Sequence, residues 1–104
     1  MIQGVKITKK KQFLDERGKI MHMLRYDDKI FKKFGEIYFS CTFPKAIKAW
    51  HLHKKMTLNY VIVHGRIKLV LYDSRKKSKT YGKIQEIFLS TEDYNLITIP
   101  PLIW

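Results

Sequence analysis

Hydrophobic and polar positions alternate along most of this chain. Gly35–Phe43 (GEIYFSCTF) puts Ile37, Phe39 and Cys41 on one face and Glu36, Tyr38, Ser40 and Thr42 on the other. A period of two marks a strand with one buried face. Arg66–Tyr72 repeats the pattern, with Ile67, Leu69 and Leu71 opposed to Arg66, Lys68 and Tyr72. Asn59–Val63 (NYVIV) is mostly apolar, as in a strand covered on both faces. Gly65 lies between these two runs and admits the positive φ of a tight hairpin turn, so the runs are expected to pair. Gln3–Ile7, Lys19–Tyr26, Ile47–His53, Lys83–Ser90 and Leu96–Ile99 complete the set of short strands. Only Asp27–Phe34 offers a helical spacing, through Ile30, Phe31 and Phe34, and it reads equally as an irregular loop. Short strands at this spacing, separated by turn residues, predict an all-β sandwich or barrel.

Composition narrows the class. The 104 residues suit one modest core, which association between copies commonly supplements. Hydrophobic residues make up 45%, too many for a disordered chain. No apolar run reaches the roughly 20 residues of a membrane-spanning helix, and Met1–Lys11 lacks the apolar centre of a signal peptide. The single cysteine, Cys41, allows no intrachain disulfide and fits a reducing cytoplasm. It reads as small buried filler on a strand.

The net charge of +12 favours anionic partners. Yet the lysines are dispersed: Lys9–Lys11, Lys32–Lys33, Lys54–Lys55 and Lys76–Lys77. No nucleic-acid-binding motif accompanies them. An anionic small molecule such as a nucleotide diphosphate is therefore expected, rather than nucleic acid or a membrane.

The chemistry concentrates at His51-x-His53, whose side chains share a face if the segment is a strand. Two imidazoles can bind a metal, move a proton or hold an anion. The pattern alone leaves these choices open beside an ordinary pair of surface histidines. His22 and His64 read as ordinary strand and turn residues.

The order of several motifs resembles the dTDP-4-dehydrorhamnose 3,5-epimerase family of the cupin superfamily. Phe13, Asp15, Arg17 and Gly18 match the family's opening Phe-x-Asp-x-Arg-Gly signature. Ser40-Cys41-Thr42 stands for its Ser-x-Ser strand, and Lys48-Ala49-Trp50-His51 for its Arg-Gly-Leu-His strand. Asp73-Ser74-Arg75, Ser78-Lys79-Thr80, Gly82, Leu89–Asp93 and Ile99-Pro100-Pro101 follow in family order. The resemblance covers roughly residues 4–104.

It implies a cupin-type jelly-roll barrel, a single domain over 1–104 that lacks the family's C-terminal segment. It further implies a cytoplasmic homodimer that binds a dTDP-sugar or similar nucleotide sugar without a cofactor. His51 occupies the position of the catalytic base, which removes a proton next to a ketone. That proton is acidic because the enolate is resonance-stabilised, and a neutral imidazole accepts it near neutral pH. Arg17, Lys48 and Arg75 are the expected diphosphate ligands. Tyr38, Ser40 and His53 are further substrate-binding candidates.

Departures from the family temper the reading. Lys48 replaces an arginine and loses its bidentate fork. Thr57-Leu58-Asn59 stands where the family has an enolate-stabilising lysine. The family's His-Gly-Phe segment and the tyrosine acid of the opposite face lie beyond Ile-Pro-x-Gly, whereas this sequence stops at Trp104. Two further readings therefore stand beside an isomerase: a nucleotide-sugar-binding cupin without catalysis, and a small metal-dependent cupin using His51 and His53. Two histidines fall short of a closed metal site, so no metal ligand is assigned.

Overall fold

The computed structural model describes residues 1–104 as an all-β chain with no helix. Seven strands form: β1 (Lys6–Lys9), β2 (Gln12–Asp15), β3 (Gly18–Met21), β4 (Leu58–Tyr60), β5 (Arg66–Tyr72), β6 (Ile84–Ser90) and β7 (Asn95–Ile99). They make a three-stranded sheet β1-β7-β4 and two hairpins, β2-β3 and β5-β6, all antiparallel.

β7 is the spine of the core. Leu96, Ile97, Thr98 and Ile99 are all buried, and both edges of the strand are paired. A strand with neighbours on both sides and cover on both faces has no polar face to show, which explains its apolar run. The β5-β6 ribbon follows its alternation. Leu71, Ile87 and Leu89 turn inward, while Phe88 and Ile84 remain outside. Cross-strand partners share a face, so Leu69 opposes Ile87 and Ile67 opposes Leu89. The core cluster contains Ile2, Val5, Leu71, Ile87, Leu89, Ile97, Ile99 and Ile103, with Leu58, Ile62 and Leu69 packed against it. Every member comes from residues 2–5 or 58–103.

The hairpin expected at Gly65 does not form. β4 pairs with β7, and β5 pairs with β6 over seven residues. Gly65, at φ 81°, is instead a corner where the chain leaves one sheet for another. The glycine was legible as a turn, but the partners were not. Arg66–Tyr72 finds a full-length partner in Ile84–Ser90, and β4 completes the open edge of β7.

Two other expected strands are also absent. Gly35–Phe43 and Ile47–His53 have no regular secondary structure. All residues from 32 to 51 are exposed, including Phe39 at 87% and Ile47 at 90%. Alternation makes a strand only where another strand accepts its hydrogen bonds, and no segment of this chain pairs with these two. Cys41, expected as buried filler, is exposed for the same reason. Asp27–Phe34 forms turns rather than a helix: the Arg25 and Phe31 amides bracket Asp28 through hydrogen bonds of 2.8 and 3.0 Å to its carboxylate and carbonyl.

The polar stretch after β5 is tightly built. Asp73 is fully buried. Its carboxylate accepts hydrogen bonds from Arg75 Nε (2.8 Å) and Nη2 (2.9 Å), Ser78 Oγ (2.7 Å), Thr80 Oγ1 (2.6 Å) and the Arg75 amide (3.1 Å). These donors, the Arg75 side chain first among them, hold its carboxyl well below the usual carboxylate range. Arg75 Nη2 also donates to Gln3 O at 2.6 Å, and the Gln3 amide donates to Thr80 Oγ1 at 2.9 Å. One buried acid thus pins the first residues of the chain to the loop between β5 and β6.

Candidate functional site around His51

Pro44 and Lys45 shape the segment that carries most of the candidates. The Ala46 amide donates to Phe43 O at 3.0 Å, and Lys45 has φ 66°. Proline at the second position and a positive φ at the third describe a type II turn. The turn folds Lys48 back, so that Lys48 Nζ donates to Ser40 Oγ at 3.1 Å and to Cys41 O at 2.5 Å. Two residues expected at the site are thereby joined, an ammonium held beside a hydroxyl.

His51 follows three residues later and is exposed, while His53 is half-buried. Neither imidazole hydrogen-bonds within the chain, but the backbone here is fixed by Leu102, whose amide donates to His53 O at 2.8 Å. Tyr38 lies near Tyr60 on β4. The Tyr60 phenol is pushed up, first by burial and then by the proximity of the Tyr38 phenol. Tyr60 was not among the residues singled out from the sequence. Its only signal there was a tyrosine in an otherwise apolar strand.

Arg17 sits in the turn of the β2-β3 hairpin, where Nη2 meets Asp15 Oδ2 at 2.8 Å and its side chain is largely exposed. It stands apart from the Ser40–Lys48 pair, with no contact to it in this chain. Arg75, expected to meet a diphosphate, is already engaged: its Nε and Nη2 groups serve Asp73, Ser78 and Gln3. The Asp73-x-Arg75 motif is legible in the sequence, but the burial of Asp73 that gives it a structural use is not.

His22 stacks edge-on against Phe13, with ring centroids 5.5 Å apart. No group of three or more His, Cys, Asp or Glu side chains is arranged to hold a metal ion. No helix is long and apolar enough to cross a membrane.

The chain as a whole is similar to known proteins. The chain is similar to the spore coat polysaccharide biosynthesis protein SpsL of Bacillus subtilis (strain 168), at 34% identity over 100 residues, covering 96% of this chain and 66% of that protein. It is 30% identical over 92 residues to the probable low-salt glycan biosynthesis epimerase Agl13 of Haloferax volcanii, covering 86% of this chain and 59% of the relative. The crystal structure of a dTDP sugar isomerase from Desulfovibrio desulfuricans G20 superposes with a TM-score of 0.96 at 40% identity, over 99% of this chain and 66% of that one. The chain thus spans about two thirds of the length of these relatives or less. The superposition covers nearly every residue, so the irregular path through 32–51 belongs to the shared, cupin-type fold. Residues 1–103 match the family model described as dTDP-4-dehydrorhamnose 3,5-epimerase, and the chain belongs to that family.

Proposed function

We propose that this chain serves an isomerase that acts on a nucleotide-diphosphate 4-keto-6-deoxy sugar, with His51 as the base. His51 takes the proton from the carbon beside the ketone. The electron pair of the broken C–H bond moves toward the carbonyl, and an enolate forms. A proton returned from solvent or from an acid on the opposite face completes the turnover. Lys48 supplies positive charge for a phosphate oxygen or the enolate, and Arg17 a second cation. Tyr38, Ser40 and His53 provide polar groups around the sugar and base.

The observation that carries this reading is the turn at Phe43–Ala46. It sets the Lys48 ammonium against Ser40 and leaves His51, three residues on, exposed and free of intramolecular hydrogen bonds. Family membership and relatives named as an epimerase and a sugar isomerase support the substrate class.

We further propose a homodimer with a cytoplasmic location. Phe34, Ile37, Phe39, Phe43 and Ile47 are each at least 65% exposed within one continuous segment. Unpaired extended backbone with apolar side chains pairs readily with another chain. A reducing compartment suits the free, exposed Cys41.

One observation favours a binding module without catalysis: nothing in the chain fixes the tautomer of His51. Deuterium exchange at the carbons beside the ketone of a dTDP-4-keto-6-deoxy sugar tests both readings. Exchange needs one base only, so it is expected with the wild type and lost in His51→Ala. Binding without exchange decides for the module. Neither binding nor exchange refutes the substrate assignment.

A further inference from the structure

A second concavity borders the His51–His53 segment at Leu52. A shallow, open cleft of about 370 Å³ is lined by Leu52, Leu102 and Trp104 together with Ser74, Arg75, Lys76 and Lys77. This volume falls at the small end of the range of about 300–1,000 Å³ occupied by small-molecule sites.

Its walls are fixed by the chain itself. Trp104 and Tyr72 exchange two backbone hydrogen bonds of 2.9 and 3.0 Å. Leu102 is tied to His53, and the Ser74–Lys77 wall hangs from buried Asp73 through Arg75. A cleft with tied walls orders few groups when a ligand enters, which lowers the cost of binding.

Its chemistry is two-sided. The indole of Trp104, 39% exposed, and the side chains of Leu52 and Leu102 supply an apolar surface. Lys76 and Lys77 are exposed and form no ion pair, unlike Lys10, Arg17, Arg25, Arg66, Lys68 and Arg75. No Asp or Glu occurs between Ser74 and Gln85, while Lys79 and Lys83 add positive charge to the same loop. The Ser74 hydroxyl has no partner in the chain and adds a donor at the wall. An indole and two leucines sharing a cleft with unpaired lysines are complementary to an aromatic ring bearing an anionic group.

We propose that this cleft is an accessory binding site for an aryl phosphate. The ring lies against Trp104 and the phosphate meets Lys76 and Lys77. Leu52 lines the cleft and is bonded to both His51 and His53, so an occupant touches the residue between the two imidazoles. The site rests on no part of the catalytic reading above.

Phenyl phosphate is the probe, titrated into isotope-labelled full chain and followed through the indole N–H signals by NMR. Trp50→Phe assigns the Trp104 signal. Saturable movement of the Trp104 signal is expected, with inorganic phosphate and benzyl alcohol each binding more weakly. Lys76→Ala/Lys77→Ala alters only exposed side chains, so the fold is retained, and phenyl phosphate affinity should fall roughly tenfold or more with both cationic contacts removed. Unchanged affinity in that double variant overturns the proposal. So does binding of inorganic phosphate as tight as that of phenyl phosphate. Movement of the Trp50 signal with Trp104 unmoved also overturns it, because the ligand then sits on the His51 segment. Exchange chemistry at His51 can fail while Trp104 binds, so the two proposals fail separately.

Discussion

Replacing Asp73 with Asn isolates the interaction that organises the β5-β6 loop. The side chain is fully buried and accepts from three side chains and one backbone amide. Asn keeps the shape but removes the charge. It also leaves one carboxylate oxygen replaced by an NH2 group, which cannot accept from the Arg75 N–H groups, and it strands Arg75, whose side chain is only 22% exposed. Breaking one half of a buried pair costs about 3–5 kcal/mol. For a domain of this size the lower figure corresponds to a fall in Tm of roughly 12 °C or more. Circular dichroism melts would measure it. Ser78→Ala removes one hydrogen bond of 2.7 Å from the same carboxylate and should cost about 1–2 kcal/mol, a milder variant should Asp73→Asn not fold. Asp73→Asn/Arg75→Met should be no less stable than Asp73→Asn alone, because the stranded cation is gone. The pH dependence follows from sign. The folded carboxyl lies below its unfolded value of 3.8, so its contribution is complete above that pH and disappears as pH falls toward the folded pKa. The gap between wild type and Asp73→Asn should thus stay constant from pH 5 to pH 8 and narrow only in strong acid. A loss under about 1 kcal/mol for Asp73→Asn, or a gap that widens toward acid, would refute a buried, charged Asp73.

Three further outcomes follow from the geometry. Ile97→Ala empties a fully buried position on the central strand and should cost about 2–5 kcal/mol by urea unfolding. Gly4→Ala should be more destabilising than Gly65→Ala: both residues have positive φ, but only at Gly4 would a Cβ meet another residue, Pro100 Cγ at 3.0 Å, and melts of the two variants give the order. Light scattering should find a dimer for the wild type and a monomer for Phe39→Ser/Ile47→Ser, whose side chains are 87% and 90% exposed in one chain; a wild-type monomer at high micromolar concentration counts against the dimer.

Local pattern reported the strands whose partners lie in this chain. Ile84–Ser90 and Asn95–Ile99 form nearly where alternation and apolar runs placed them, because each finds a partner and buries a face. The same pattern at Gly35–Phe43 is as regular in sequence and yields no strand. The difference is pairing, which periodicity does not encode. Register across Gly65 failed in the same way: two plausible strands and a turn between them do not exclude better partners elsewhere. At the site, the motif order pointed to His51, and the Pro44 turn explains how Lys48 and Ser40 meet. The contacts of Arg75 were not legible, because an exposed-looking Asp-Ser-Arg triplet in a basic loop hides a buried carboxylate. Burial of Asp73 goes with its bridge to Ile103 and with the donors gathered from Arg75, Ser78 and Thr80, which only three dimensions supply.

The division between the two parts of the molecule bears on how a site could work here. The core comes from residues 2–5 and 58–103, and those residues form the longest pairings and the Asp73 cluster. His51, Ser40, Tyr38 and Lys48 lie on the exposed stretch that contributes nothing to that core. A general base acts only when its orientation and tautomer are held. Within this chain the nearest anchors are the Lys48–Ser40 contact and the bond from Leu102 to His53 O, and both fix backbone or a neighbour rather than the His51 ring. No hydrogen bond within the chain holds the ring itself, so the proposed role of His51 as a base requires a further contact that fixes its orientation and tautomer. Folding is therefore expected to be little affected by substitutions at His51, Ser40, Tyr38 and Lys48. These positions read as regular strands in sequence because their residues alternate in polarity, a pattern that is independent of whether a pairing strand is present.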